Sequence, residues 1–329
     1  MKTNKIVFFS GNDLKAILTM EKCIDAMKSA FMALHSGKAA MPLRTKLEME
    51  ADNGTALFMP AYLPEVCKVG VKVVNMNRNN PAKGLPLIHA MLMVFDSTTG
   101  VPLAVMDGEF ITAMRTGAVS GLATSLLARK DAAIAAVIGP GTQGETQLEA
   151  ICKVRAIQKA YVFGLQTERA QNFAAKMEEK LKIPVVVAKS ADTLLKADII
   201  CTATSSNKPV FNNLHVKSGA HINGVGSYKP EMAEIPSDTI ARAKVVVDQM
   251  TGCLAEAGDI IQPIQQGIIT QDHIHGELGQ LVAGSISSRT TEDEITVFKS
   301  VGVAVQDLIT ADLVLHLAKE KNIGTSLML

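Results

Sequence analysis

The sequence predicts an α/β protein in which a doubly wound parallel sheet is inserted into a second, mixed α+β domain. Three observations carry that expectation. Between about Arg44 and Met106, short apolar runs alternate with Gly, Pro and Asn turns, as strands with tight connections do. After Arg115, strand-like runs alternate with helix-length segments, the pattern of a parallel sheet wound by right-handed crossovers. The stretch Asp293 to Lys321 reads as one last helix, long enough to return to the first domain. A chain of 329 residues also favours two cores over one. The expected domains are 1–115 with about 303–329, and 116–302.

The elements follow in order. Lys5 to Phe9 reads as a strand, then a helix capped by Asn12 or Asp13 runs through Leu34 on apolar positions at helical spacing. Leu57–Met59, Val69–Val74, Leu87–Phe95 and Pro102–Met106 read as strands, with Asp96–Gly100 as a hairpin turn between the last two. Thr116 to Arg129 is an Ala-rich helix and Ala133 to Ile138 a buried strand. Beyond a glycine loop come a helix to about Ala156, a strand at Ala160–Phe163, a helix at Thr167–Leu181 and a strand at Val185–Ala188. A helix near Ala191–Ala197 and strands at Ile199–Thr202, His221–Val225 and Lys244–Asp248 complete the series.

Composition excludes several classes. Hydrophobic residues make up 47% and charged residues 20%, a globular rather than disordered balance. The net charge of +1 has no clustered basic face behind it, so no nucleic-acid partner is expected. The longest apolar stretches, such as Ala132–Ile138, are too short to cross a bilayer, and Ile6–Phe9 is too short for a signal-peptide core. A cytoplasmic protein without a membrane partner is the expectation. The five cysteines are odd in number and widely spaced, which predicts small buried thiols rather than a disulfide framework or a zinc site. His273 and His275 resemble a metal pair but have no third ligand at sensible spacing, so no metal is expected.

The strongest local motif is Gly139-Pro-Gly141-Thr-Gln-Gly144, which follows a strand and opens a helix. The first glycine permits the tight turn, the second lets backbone approach a pyrophosphate, and the third lets helix and strand pack closely. The helix N-terminus adds free N–H groups and the positive end of its dipole. This is the fingerprint of a Rossmann-like nucleotide site, and the cofactor expected is NAD(H) or NADP(H). The usual carboxylate for the ribose 2′-OH is missing: Gly164-Leu165-Gln166-Thr167 follows the next strand. Arg169 either meets a 2′-phosphate or is a solvated helix residue, and the choice of nucleotide stays open. Thr202 and Thr204, at a strand's carboxyl end, are candidates for the nicotinamide ribose. Asn223, Val225 and Gly226 at the next strand end are candidates for the nicotinamide, against a plain turn role for each.

Three cations stand out in the first domain: Arg44, Lys72 inside an apolar strand, and Arg115 just before the second domain, at an expected interdomain cleft. An amino-acid carboxylate calls for a charge-assisted partner, and arginine supplies it bidentately. Singly, each is more often a surface charge.

As a set, these residues lie in segments that resemble the ornithine cyclodeaminase/μ-crystallin family. The segments are Met41-Pro-Leu-Arg44, Gly70-Val-Lys72-Val-Val-Asn75, Gly84-Leu-Pro86, Ile111 to Ala118, the Gly139–Gly144 loop, Ile222 to Gly226, Gly276-Glu-Leu-Gly279, and Thr296 to Gly302 with Gln306-Asp-Leu308. The resemblance implies a homodimer built through the mixed domain and a small amino- or imino-acid substrate. It implies that Arg44, Lys72 and Arg115 bind the substrate carboxylate, with Lys72 also near the reacting nitrogen. Thr142 and Gln143 are implied on the pyrophosphate, Ser300 and Val301 near the nicotinamide, with Val301 also at the substrate and Arg115 and Thr116 also at the nucleotide.

Departures from the family pattern narrow the activity. Tyr228 stands where the cyclodeaminases carry a catalytic Asp, and Met59 where they carry a Glu; Glu231 is nearby at the wrong spacing. Cyclodeamination needs a base and an anionic partner for a cationic side chain. Reducing a preformed cyclic imine needs only orientation, a hydride and a proton. The expected activity is therefore reduction of Δ1-pyrroline-2-carboxylate or Δ1-piperideine-2-carboxylate to L-proline or L-pipecolate. Lys72 is the expected proton donor, assisted by Tyr228 or Ser227. The alternatives are an ornithine cyclodeaminase, an alanine- or opine-type dehydrogenase, and a non-catalytic NADPH-binding protein. Asp307 and Asp312 stand at i and i+5 on the last helix, on different faces, so a carboxylate dyad is not expected, and Asp307 is expected to hold a cation.

Overall fold

The chain divides into two units. In the computed structural model, which describes residues 5–328, one unit comprises Met1–Arg115 with Val303–Leu329 and the other Thr116–Gly302.

The first unit begins with strand β1 (Lys5–Phe9) and two helices, α1 (Gly11–Ile17) and α2 (Met20–His35). The expected single helix breaks at Leu18 and Thr19. Ser10, not Asn12 or Asp13, is its N-cap: its hydroxyl accepts from Asp13 N–H while the Asp13 carboxylate accepts from Ser10 N–H. Thr19 caps α2, its hydroxyl accepting from Lys22 N–H. Five strands follow, β2 (Thr45–Met49), β3 (Gly54–Leu63), β4 (Lys68–Asn77), β5 (Ile88–Asp96) and β6 (Pro102–Asp107). The β5–β6 turn is tied by Asp96, whose Oδ1 accepts from the backbone and side chains of Thr98 and Thr99, and Gly100 takes the positive φ it requires.

With a last strand at Thr325–Met328 the sheet has seven strands, and β1 pairs in parallel with β6. One face, bearing Met59, Ala61, Leu63, Leu92 and Val94, is buried. The helix that covers it is close: a Cβ on Gly70 of β4 would lie 2.9 Å from Leu308 Cδ1. The opposite face carries three cross-strand apolar rows: Phe58–Val73–Met91, Pro60–Val71–Met93 and Tyr62–Val69–Phe95. Phe58, Tyr62 and Met91 on it are exposed.

The division between units falls within helix α3 (Gly108–Leu127), which starts eight residues before the expected Thr116. The second unit then runs β7 (Ile134–Ile138), α4 (Thr142–Val154), β8 (Lys159–Phe163), α5 (Thr167–Leu181), β9 (Val185–Val187), β10 (Ile199–Thr202), β11 (His221–Gly224), α6 (Ser237–Arg242), β12 (Lys244–Val247), α7 (Met250–Glu256), α8 (Gly258–Gln265), β13 (Ile274–Glu277), α9 (Leu278–Val282) and β14 (Thr296–Lys299). All eight strands are parallel, in the order β13-β12-β14-β11-β10-β7-β8-β9. Alternate residues feed two apolar layers: Ala136, Ile138, Ile200 and Ile222 enter one, Ala135, Val137, Ile199 and Cys201 the other.

Two expectations need correction here. The single helix Asp293–Lys321 is strand β14 followed by helix α10 (Ala304–Lys321), which belongs to the first unit. Thr296-Val-Phe-Lys is a four-residue run buried between β11 and β12, too short for its period to separate strand from helix. The cysteines are not all buried either: Cys67 is exposed in a left-handed turn and Cys152 is half-buried. His273 and His275 each donate Nε2–H to a backbone carbonyl, of Ile240 and Ser287 at 2.8 Å. Among the described residues, no helix is long and apolar enough to cross a membrane.

Candidate active site

In the second unit, β7 has β8 on one side and β10 on the other, so its carboxyl end is the point at which the winding reverses. The glycine loop lies there. Gly139 has φ +109°, and a Cβ on it would stand 2.5 Å from Ala203 O; a Cβ on Gly144 would stand 2.3 Å from Gly139 O. Gly141 is different, since a Cβ there would meet nothing within 4 Å. Its glycine leaves open space, not packing. Gly141 is also the N-cap of α4 and offers no side-chain acceptor to the first turn. Thr142 is exposed, and Gln143 Oε1 is buried with no hydrogen-bond partner. Free N–H groups, open space over a glycine and an unsatisfied amide oxygen fit a dinucleotide diphosphate and its ribose. At the end of β8, Gly164 packs against Pro140 and Leu165 is fully exposed.

The neighbouring strand ends are organised by buried carboxylates. Glu234 accepts from Thr202 Oγ at 3.0 Å, Thr204 N–H at 2.6 Å, Gly226 N–H at 2.7 Å and Ser227 N–H at 3.2 Å. Asp248 accepts from Ser300 Oγ at 2.7 Å and from Val301 and Gly302 N–H at 3.0 and 2.8 Å. These bonds change the expected roles of several side chains. The Thr202 hydroxyl is buried and donated to Glu234, so it is not available to a ribose. The Asn223 amide is held inside the sheet, donating to Thr124 Oγ at 2.9 Å. Ser227 is fully buried and donates its hydroxyl to Met232 O at 3.0 Å, which removes it as a proton source. Thr204 and Val225 are half-buried at the strand ends, as is Tyr228 beyond them. Thr116 is buried, its carbonyl accepting from Gln147.

In the first unit, the register of β3, β4 and β5 puts Lys72 between Met59 and Leu92 on the helix-covered face. Lys72 is 1% exposed, and its ammonium lies 2.8 Å from Asp307 on α10. Arg115 reaches the same carboxylate with Nε at 3.2 Å and donates from Nη1 to Gln306 Oε1 at 2.7 Å. Gln306 Oε1 also accepts from Val303 N–H, which fixes the amide and leaves its Nε2 donor buried without a partner. Burial, and then the positive charges of Arg115 and Arg44, lower the Lys72 pKa to about 7, while Asp307 works against them. Arg44 and Arg115 thus both act on Lys72 electrostatically, and Lys72 and Arg115 share the Asp307 carboxylate. Asp312 pairs separately with Lys68, four residues before Lys72 on the same face of β4, at 2.6 Å.

Comparison with known proteins accounts for this combination. Residues 5–322 match the family model described as ornithine cyclodeaminase/mu-crystallin family. The chain belongs to the ornithine cyclodeaminase/mu-crystallin family. A solved Δ1-pyrroline-2-carboxylate reductase from Thermococcus litoralis, in complex with NADH and L-proline, superposes with a TM-score of 0.94 at 44% identity, covering 97% of this chain and 99% of that one. A curated Δ1-pyrroline-2-carboxylate reductase from Bacillus cereus is 37% identical over 97% of this chain and 98% of its own. An archaeal alanine dehydrogenase, solved as a dimer with bound NAD, superposes at 0.92 with 33% identity over 98% and 99% of the two chains. Within this family fold, sequence reasoning named the cations, the glycine loop and Asp307 as a partner for a cation, but not the other groups that hold them. Asp248, Glu234 and Asp259 lie in none of the segments that carry the resemblance. The available signal was an acidic or cationic residue within an otherwise apolar stretch.

Proposed function

We propose that the protein is an NAD(P)H-dependent reductase of a cyclic α-imino acid, with Δ1-pyrroline-2-carboxylate as substrate and L-proline as product. The observation that carries this reading is Lys72: a buried amine, held by Asp307, with a pKa of about 7 and two arginines beside it. At neutral pH such an amine is about half protonated, so it can give a proton and recover it. The identity to reductases acting on this imine supports the choice of substrate.

Arg44 and Arg115 bind the substrate carboxylate, with the unsatisfied Gln306 amide as a further donor. Lys72 and Arg115, two cations on the one Asp307 carboxylate, favour an anionic ligand. Gly139, Gly141, Thr142, Gln143 and Gly144 hold the dinucleotide diphosphate, and Thr204, Val225, Gly226, Ser300 and Val301 line the nicotinamide end. When bound, the reduced nicotinamide supplies the hydride. With a hydride equivalent supplied to the imine carbon, the imine nitrogen would gain a lone pair, and Lys72 is the group placed to deliver a proton to it. The product is a secondary amine, and neutral Lys72 is reprotonated from water. Orientation by the carboxylate clamp supplies much of the rate. The end of β8 carries no carboxylate against a 2′-phosphate, so NADH and NADPH are both candidates.

The apolar rows on the open face of the first unit's sheet support a homodimer formed through that face. The first unit is accordingly the substrate-binding and dimerisation domain and the second the nucleotide domain. The test is the rate of NADH and NADPH oxidation with Δ1-pyrroline-2-carboxylate. Turnover that Lys72→Ala and Arg115→Ala both abolish is expected. Nucleotide binding without turnover of this imine or of Δ1-piperideine-2-carboxylate would overturn the reading, and turnover of pyruvate with ammonia instead would make the protein an alanine dehydrogenase.

A further inference from the structure

Glu234 is fully buried, yet its carboxylate accepts four hydrogen bonds, one from the last residue of β10 and three from the loops after β10 and β11. Thr202 ends β10 and Thr204 follows it; Gly226 and Ser227 follow β11. The two loops touch backbone to backbone: a Cβ on Gly226 would stand 2.2 Å from Thr204 O. Glu234 is in turn anchored from behind. Its own N–H and that of Ile235 donate to Asp259 Oδ1 at 2.7 and 3.0 Å, and Asp259 Oδ2 receives the Lys299 ammonium at 2.9 Å. Lys299 is fully buried at the end of β14, immediately before Ser300. One chain of charges thus joins the carboxyl ends of β10, β11 and β14.

We infer that Glu234 is a positioning residue for the nucleotide: its carboxylate locks the loops after β10 and β11 into one backbone surface on which the nicotinamide end of the dinucleotide rests. This inference rests on the reading of the second unit as the nucleotide domain. Every donor that Glu234 receives points inward, so three backbone N–H groups that would otherwise be buried and unpaired are satisfied by a single side chain. An ionised carboxylate is an acceptor on both oxygens; no neutral side chain of that length is. Burial and the Asp259 charge raise the Glu234 pKa, and Lys299 and the Thr204 bonds oppose them. Neutral surroundings would hold a plain turn at less desolvation penalty, and a charged anchor at a strand end is the arrangement that a ligand site retains.

The test is Glu234→Gln, with Thr202→Val as the milder variant. The amide nitrogen of Gln must donate where N–H groups already point, so the two loops separate. For folded Glu234→Gln, the Kd and KM for NADH rise about 10-fold or more, the loss expected for one charge-assisted bond. The KM for the imine and kcat at saturating NADH stay within about 2-fold, a split that a general loss of structure does not give. Thr202→Val removes one of the four donors and raises the NADH Kd about 2- to 5-fold. Wild-type NADH affinity in folded Glu234→Gln, or a fall in kcat with NADH affinity intact, overturns the inference. If Glu234→Gln does not fold, Thr202→Val decides, and unchanged NADH affinity there overturns it as well. Failure of the unaltered protein to bind NADH is a different result, which sinks the nucleotide reading itself.

Discussion

Replacing Asp307 with Asn isolates the group that keeps Lys72 protonated. Burial and two arginines push the Lys72 amine down, and the Asp307 carboxylate at 2.8 Å opposes them, with the balance at about 7. A carboxylate that close moves a neighbouring cation's titration by about 1–3 pH units. Without it, Lys72 titrates that much lower. For a shift of about 2, the protonated fraction at pH 7 falls from about one half to about one in a hundred, and kcat/KM for imine reduction falls about 50-fold. The sign is fixed by the role: the donor must carry its proton, so the rate falls as pH rises through the Lys72 pKa, and Asp307→Asn moves that fall towards acid. The assay is kcat/KM for Δ1-pyrroline-2-carboxylate with saturating NADH from pH 5 to 9, for both proteins. Titration of the substrate is common to both and cancels. The variant leaves buried cations with less compensation, a loss of about 3–5 kcal/mol where the charge cannot be shed, so folded fraction is checked by circular dichroism. An unchanged inflection, or equal loss at every pH, would refute the assignment of Lys72 as donor and Asp307 as its regulator.

Two glycines of the glycine loop, Gly141 and Gly144, should separate cleanly. Gly141→Val has room for its side chain and should fold like the wild type while NADH affinity falls at least about 10-fold, whereas Gly144→Ala drives a methyl group into Gly139 O and should lose about 1–3 kcal/mol in urea unfolding. Val71→Glu, in the middle row of the open sheet face, should convert the proposed dimer to monomers in light scattering, and an unchanged dimeric mass would place the interface elsewhere. Unfolded Lys72 keeps its proton to about pH 10.5 and folded Lys72 releases it at about 7. The wild type should therefore gain stability over Lys72→Met as pH rises from 7 to 10, and a flat difference would contradict that titration. Met59→Glu adds a carboxylate in register with Lys72 and should move the alkaline fall in kcat/KM upward, opposite to Asp307→Asn; movement towards acid would mean that residue 59 does not act on Lys72.

The parts of this fold that were legible in the sequence have local causes. The hairpin at Asp96–Gly100 follows from an Asp that ties its own turn, and the glycine loop from a strand, a steric requirement and a helix start. The α/β class followed from alternation along the chain. What was not legible depends on residues far apart. Whether Thr296–Lys299 is strand or helix is decided by its two neighbours in the sheet, not by four residues of pattern. The break at Leu18–Thr19 depends on which of several polar residues caps, and Ser10 and Thr19 won over Asn12 and Asp13. At the site, Lys72 was visible as a charge in an apolar strand, but its partner lies 235 residues away. Thr202 and Asn223 looked like nucleotide contacts and Ser227 like an aid to proton transfer because their types and positions are right, and each hydroxyl or amide is taken up by a partner that only the fold brings near.

The placement of that partner bears on the choice among activities within the family. Lys72 lies on a sheet face whose adjacent positions, Met59 and Leu92, are apolar, and its carboxylate arrives from α10 on the helix side. Asp307 is already shared between Lys72 and Arg115. A diamino acid would bring a second ammonium needing an anion of its own, and beside Lys72 the sheet presents thioether and aliphatic carbon. Burying that ammonium unpaired is strongly unfavourable. A cyclic imino acid asks for nothing of the kind: its single carboxylate matches the surplus of positive charge, its nitrogen needs one proton, and its ring carbons suit an apolar wall. The same replacement that removes the cyclodeaminase's contacts therefore leaves a reductase's requirements intact, and the lowered pKa of Lys72 is a consequence of the wall as much as of the arginines.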